Sequence, residues 1–110
     1  MAHQFQVYQD ASKGFRWRLL ADNNQVIATA SETYNAKADC LQSIDIIKKG
    51  NASLGMYQDK TGEWRWRAIH TNGKTIATSG ESYKAKDGAE SGIVRVRELA
   101  PKAPVVDMKV

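Results

Sequence analysis

Shifted by 49 positions, the chain matches itself, and this repeat limits the folds open to it more than any other feature. Tyr8-Gln9-Asp10 falls on Tyr57-Gln58-Asp59, Arg16-Trp17-Arg18 on Arg65-Trp66-Arg67, and Ile27-Ala28-Thr29 on Ile76-Ala77-Thr78. Glu32, Tyr34, Ala36 and Lys37 fall on Glu81, Tyr83, Ala85 and Lys86. With Asn23/Asn72 and Ile44/Ile93 this gives 15 identities in the 46 gapless pairs between residues 5–50 and 54–99. The chain of 110 residues is therefore expected to be a single domain of two repeats, about 5–50 and 54–99.

Each copy has readable periodicities. Phe5–Gln9 and Leu54–Gln58 are short, with apolar residues at alternate positions, and each runs into a polar turn holding Gly14 or Gly62. Phe15–Leu19 and Trp64–Ala68 place large aromatics at alternate positions with arginines between them, the mark of a two-faced strand. Asn23-Asn24 and Asn72-Gly73 then supply residues that tolerate positive φ, predicting type I′ hairpin turns before third strands at Gln25–Ala30 and Lys74–Ser79. Beyond Tyr34 and Tyr83 the period becomes helical. Ala36, Cys40, Ile44 and Ile47 form one stripe and Ala85, Ala89, Ile93 and Val96 its counterpart. Asn35 is the expected N-cap of the first helix and Gly50 its C-terminal stop. Small residues high in each stripe let the helix approach a sheet, so Phe15, Trp17, Trp64 and Trp66 are placed under the helices and the arginines on the opposite face. Val105–Lys109, a further strand-like segment, is expected to close an edge left open by the repeats. The fold class is thus α+β: tandem β-β-β-α repeats sharing one antiparallel sheet, with two helices on one face and a short C-terminal closing strand.

These residues carry a resemblance. The run Tyr-Gln-Asp, Gly before Arg-Trp-Arg, then Asn72-Gly73, Ile76-Ala77-Thr78-Ser79-Gly80-Glu81, Tyr83 and a helix reaching Ile93, resembles the YegP-like family of small bacterial proteins. The resemblance covers both repeats. It implies one sheet shared by two β-β-β-α-β motifs with exchanged terminal strands, and single-repeat relatives that assemble as dimers. The first copy departs from the pattern at Asn24, which replaces the turn glycine, and at Ala30-Ser31, which replaces Ser79-Gly80. The resemblance brings no biochemical activity with it.

Composition excludes more than it suggests. At 42% apolar and 25% charged the chain has globular composition, and its apolar runs are too short to span a bilayer. The start Met1-Ala2-His3-Gln4 has no signal-peptide character, and Cys40 is the only cysteine, so a cytoplasmic location and no membrane contact are expected. The net charge is +4, yet residues 5–50 carry six Lys/Arg against five Asp/Glu and residues 54–99 eight against six. A dedicated phosphate binder usually concentrates its basic excess, which this chain does not.

The most suggestive constellation is Arg16, Arg18, Arg65 and Arg67 with Tyr8, Tyr57, Thr29 and Thr78 beside them on the open face. Guanidinium forks bind phosphate, and tyrosine faces stack on bases. The plainer account pairs these arginines across strands with Asp10, Asp59, Glu32 and Glu81, which recur in register with them. Asp10 and Asp59 also suit turn initiation better than general acid-base work, because no nucleophile accompanies them. His3 and His70 with one cysteine make no zinc set, and Cys40, matching Ala89, is expected in the core. No catalytic residues, cofactor or metal are therefore expected. The function favoured is a non-enzymatic binding module using the Arg/Tyr face for nucleic acid or another anionic partner, in a monomer that is internally a pseudo-dimer. The alternative is a protein–protein interaction or assembly module acting through strand edges or the helix face. An enzyme would require a pocket joining acids from both repeats. The second copy is the more charged, Lys60, Glu63, Lys74 and Lys84 standing where the first has Ala11, Gly14, Gln25 and Asn35.

Overall fold

The computed structural model describes residues 3–108, so Lys109, the last residue of the expected closing strand, lies outside the described residues. In chain order the elements are β1 (Gln4–Gln9), β2 (Phe15–Leu20), β3 (Val26–Ala30), α1 (Lys37–Lys48), β4 (Ala52–Gln58), β5 (Trp64–His70), β6 (Thr75–Ser79), α2 (Lys86–Leu99) and β7 (Val105–Asp107). The seven strands make one sheet in the order β4-β5-β6-β3-β2-β1-β7. Every pair is antiparallel except the last, β7 running parallel to β1. The halves meet at β3 and β6, where Thr29 lies opposite Thr78. Those two residues are equivalents under the repeat, so the pseudo-twofold axis passes between them. The strand after each helix crosses to the other half: β4 follows α1 yet pairs with β5, and β7 follows α2 yet pairs with β1.

Burial largely follows the alternation of the strands; Ile27-Ala28 and Ile76-Ala77 are adjacent buried pairs where the strand register shifts. Phe5, Val7, Trp17 and Leu19 from the first half join Trp66, Ala68, Ile76 and Ala77 from the second in one cluster under the helices. Cys40 and Ala89, each 0% exposed, are the small residues that admit α1 and α2 close to the tryptophans. Removing from water a side chain such as Phe5, Val7 or Leu19 is worth about 1.5–3 kcal/mol. Trp17 donates its indole N–H to Ser43 Oγ at 2.8 Å, and Ser43 donates in turn to the Cys40 carbonyl. In the second half Gly92 takes the place of Ser43, and Trp66 Nε1 has no partner among the described residues.

Several local expectations need correction. Phe15 and Trp64 are only partly buried, because they open their strands at the rim of the sheet, bridged to Tyr34 and Tyr83. The helical stripes begin at Cys40 and Ala89, since Ala36 and Ala85 are the exposed caps. Asn35 stands one residue ahead of the cap, and no side chain caps α1. The hairpin loops are not type I′. Ala21 bonds to Gln25 and to Asn24, giving a three-residue loop in which only the last residue is left-handed, Asn24 at φ 65° and Gly73 at φ 87°. Asn23 and Asn72 stay at negative φ and accept the N–H two residues on, a bond a two-residue loop would not allow them. Gly50 does end α1: at φ 75° it donates to Ile47 while Asn51 donates to Ile46, a Schellman arrangement.

Candidate functional site

The sheet face away from the helices gathers all eight candidate residues. Following directly opposed positions across the strands gives the row Gln6, Arg18, Thr29, Thr78, Arg67, Gly55. Tyr8 lies opposite Arg16 and Tyr57 opposite Arg65 in a second rank toward the strand ends. Arg18 and Arg67 stand three strand spacings apart, about 14 Å, on either side of the axis. The Thr29 and Thr78 hydroxyls meet on that axis at 3.3 Å.

The four arginines divide into two kinds. Arg16 and Arg65 are structural. Arg65 Nε donates to Asp59 at 2.9 Å, while Arg16 donates to the Ala30 carbonyl at 2.7 Å and to Thr33. Identical residues differ here because their surroundings do. Glu63 accepts the Ser82 hydroxyl and leaves Asp59 free for Arg65. Gly14, matching Glu63, offers no acceptor, so the Thr33 hydroxyl turns to Asp10 at 2.8 Å and Arg16 reaches Thr33 instead. Asp10 and Asp59 are held in their turns by three bonds each to one carboxyl oxygen. The Thr61 hydroxyl first, then Arg65, holds the Asp59 carboxyl well below the ordinary range, at about 2. Ser12 and Thr33 lower Asp10 in the same direction.

Arg18 and Arg67 make no ion pair among the described residues, which corrects the expected pairing with aspartate and glutamate. Each stacks over a tyrosine, Arg18 at 4.8 Å from the Tyr8 ring centre and Arg67 at 4.5 Å from Tyr57. Arg18 also donates to Gln6 at 2.8 Å. Gly55 replaces Gln6 in the second half, a Cβ there would meet nothing within 4 Å, and Arg67 is exposed. Glu32 and Glu81 serve the joint between halves instead: Glu32 pairs with Lys74 at 3.0 Å, and Glu81 accepts from Gln25. The Glu32 bond raises Lys74 above its ordinary value.

Two other places bear on chemistry. A cleft of about 360 Å³ lies between α1 and the β5–β6 turn, with Glu32, Tyr34, Asp39 and Ser43 facing His70 and Lys74. Its acids come from the first repeat alone, so it does not join acids of both. Among the described residues no three His, Cys, Asp or Glu side chains group to hold a metal. Cys40 is wholly buried, and burial pushes its thiol up to about 11. No helix of the described residues is long and apolar enough to cross a membrane.

A tandem α+β pseudo-dimer, two halves sharing one sheet and displaying an Arg-Tyr-Thr face, is a class defined by its architecture. Its family model matches twice, over residues 10–54 and 59–107, and the chain belongs to that family, described as a domain of unknown function, DUF1508. A UPF0339 protein of Treponema denticola is 47% identical over 49 residues, which is 44% of this chain and 83% of that one. A UPF0339 protein of Neisseria meningitidis serogroup B is 39% identical over 49 residues, 44% of this chain and 86% of its own length. Both relatives are therefore little longer than one repeat. The solution structure of Escherichia coli YegP, a protein of unknown function, superposes with a TM-score of 0.86 at 22% identity, covering 98% of this chain and 94% of that one. That of a Shewanella oneidensis UPF0339 protein gives 0.84 at 20% identity, covering 98% and 92%. These two establish the fold.

Proposed function

We propose that the chain is a non-enzymatic binding module of the cytoplasm whose open sheet face takes nucleic acid through its phosphates. The observation that supports this most is Arg67: an exposed guanidinium, seated on Tyr57, with no acceptor of its own among the described residues. Across the axis Arg18 stacks on Tyr8 in the same way, though half-buried and bonded to Gln6. Exposed arginines fixed in place by stacking lose less entropy on meeting a phosphate than free ones. Each guanidinium takes up one face of its tyrosine ring and points its free donors outward, which favours contact with the phosphate backbone. Such binding is weak, indifferent to sequence and steep in salt.

The test is an NMR titration with short duplex DNA and with single-stranded RNA at two salt concentrations. Shifts are expected along Arg18, Thr29, Thr78 and Arg67, shrinking as salt rises. Replacing Arg18 and Arg67 together by alanine is expected to abolish them and to lower the log–log salt slope by about 1.5–2. Unchanged affinity in that double variant refutes the proposal.

A further inference from the structure

The two outer edges of the sheet are built alike and occupied differently. On the first-half side, β7 lies against β1: Phe5 N–H donates to the Pro104 carbonyl and Met108 N–H to the Val7 carbonyl, both at 2.8 Å. Two cations of α1 clasp the incoming segment. Lys37 of α1 pairs with Asp107, and Lys48 donates to the Ala103 carbonyl while lying 5.7 Å from the Phe5 ring centre. Ala103 is 0% exposed in this seat.

The second-half edge repeats each of these parts without the strand. Leu54 and Met56 of β4 occupy the positions of Phe5 and Val7, and strand alternation directs their backbone N–H and C=O away from β5. No described residue bonds to those groups. Phe5, Gln6 and Val7 are buried beneath β7, whereas Leu54 and Met56 are half-buried and Gly55 is exposed. Lys86, the equivalent of Lys37, is exposed, lies 5.6 Å from the Trp64 ring centre and makes no ion pair among the described residues. Arg97, the equivalent of Lys48, lines a groove of about 370 Å³ with Ala52, Leu54 and Val96. The groove also takes in Ile47, Lys48 and Pro101 from the helix ends, and its Leu54, Val96 and Arg97 are the repeat equivalents of Phe5, Ile47 and Lys48. The asymmetry has a simple cause. The chain leaving α1 becomes β4 itself, so no segment remains to lie outside it.

We infer that the β4 edge is a docking site for an extended segment of a partner protein, laid parallel to β4 with the chemistry of residues 103–107: a small residue, proline, two apolar residues and an acid. Main-chain bonds to Leu54 and Met56 supply the affinity, as in strand addition generally. The groove at Arg97 takes the small residue and Lys86 takes the acid, which fixes direction and register. Proline falls outside the bonding positions, as Pro104 does on β1, where only its carbonyl is used.

The probe is a capped peptide of sequence Ala-Pro-Val-Val-Asp-Met titrated into the full chain and followed by backbone NMR. Saturating shifts over Ala52–Gln58, with slowed hydrogen exchange at the Leu54 and Met56 amides, are expected. Lys86→Glu, a change at an exposed position, should weaken the peptide at least about threefold, the scale of an exposed ion pair. A peptide with lysine in place of aspartate should recover that loss on the variant only. No shifts at millimolar peptide, or equal affinity of both peptides for both proteins, overturns the inference. So do shifts confined to β1 and β7, which would mean exchange with the resident strand. Concentration-dependent shifts at β4 without peptide would make a second copy of this chain the occupant, and so overturn the assignment to a partner.

Discussion

Ser43→Ala tests the buried bond between Trp17 and Ser43. The substitution leaves the helix backbone alone and removes the only acceptor of the Trp17 indole N–H, whose side chain is 0% exposed. A buried donor left without a partner costs about 1–3 kcal/mol, several times the net value of an ordinary exposed hydrogen bond. With about 2.1 cal/mol/K of unfolding entropy per residue, 1 kcal/mol in a chain of this length moves Tm by about 4 °C, so a fall of about 4–13 °C is expected. Thermal unfolding followed by circular dichroism reads it directly, with urea unfolding as a check. Double-mutant arithmetic separates the bond from the serine itself: in a Trp17→Phe background there is no donor to strand, and Ser43→Ala should cost less than about 0.5 kcal/mol. A loss below about 0.5 kcal/mol in the wild-type background refutes the reasoning, as does an equal loss in both backgrounds.

Lys13 adopts φ 67° where the second half has Gly62, so Lys13→Gly should raise stability by about 0.5–1 kcal/mol in urea unfolding, the relief of left-handed strain exceeding the entropy of glycine. The Asp59 carboxyl is expected to titrate near 2 by carbon-detected NMR. Since its folded value lies below the ordinary 3.8, its stabilising effect is complete above that pH and is lost as pH falls from 3.8 toward 2, and Asp59→Asn should flatten stability across that window. Cys40 should resist a thiol reagent at pH 8 in the native protein and react only as fast as the core opens, which a denaturant series with mass detection measures.

The duplication and the strand and helix periods were legible in the sequence because they rest on spacing: Trp17 with Trp66, and Cys40 with Ala89, stand where alternation and helical pitch place them. The assignment of four arginines to the open face was legible for the same reason. Of their expected acid partners only Asp59, on Arg65, is found. Arg16 and Arg65 sit in identical tripeptides, and their divergence is decided by Gly14 against Glu63, a difference visible in the sequence whose effect depends on which hydroxyl lies within reach. Pairing Glu32 and Glu81 with arginines overlooked that the repeats meet across β3 and β6, which brings Lys74 and Gln25 to those carboxylates. The loops were misjudged by one residue because Asn23 and Asn72 act through their side chains rather than through positive φ. The unmatched β4 edge has a sequence signal after all. Only two segments follow the two helices, and the first is already a strand of the second repeat.

The pairing of β7 with β1 joins residues a hundred positions apart, so of the described strands the earliest in the chain is covered by the latest. As the chain leaves the ribosome, β1, β2 and β3 can form a meander at once, but Phe5 and Val7 keep an open flank until β7 emerges. Through synthesis the half-finished protein thus displays a bare edge at β1, of the kind that the mature protein keeps at β4. The first half therefore depends on residues 103–107: without them both helices and six strands remain, yet Phe5 lies beside an empty seat.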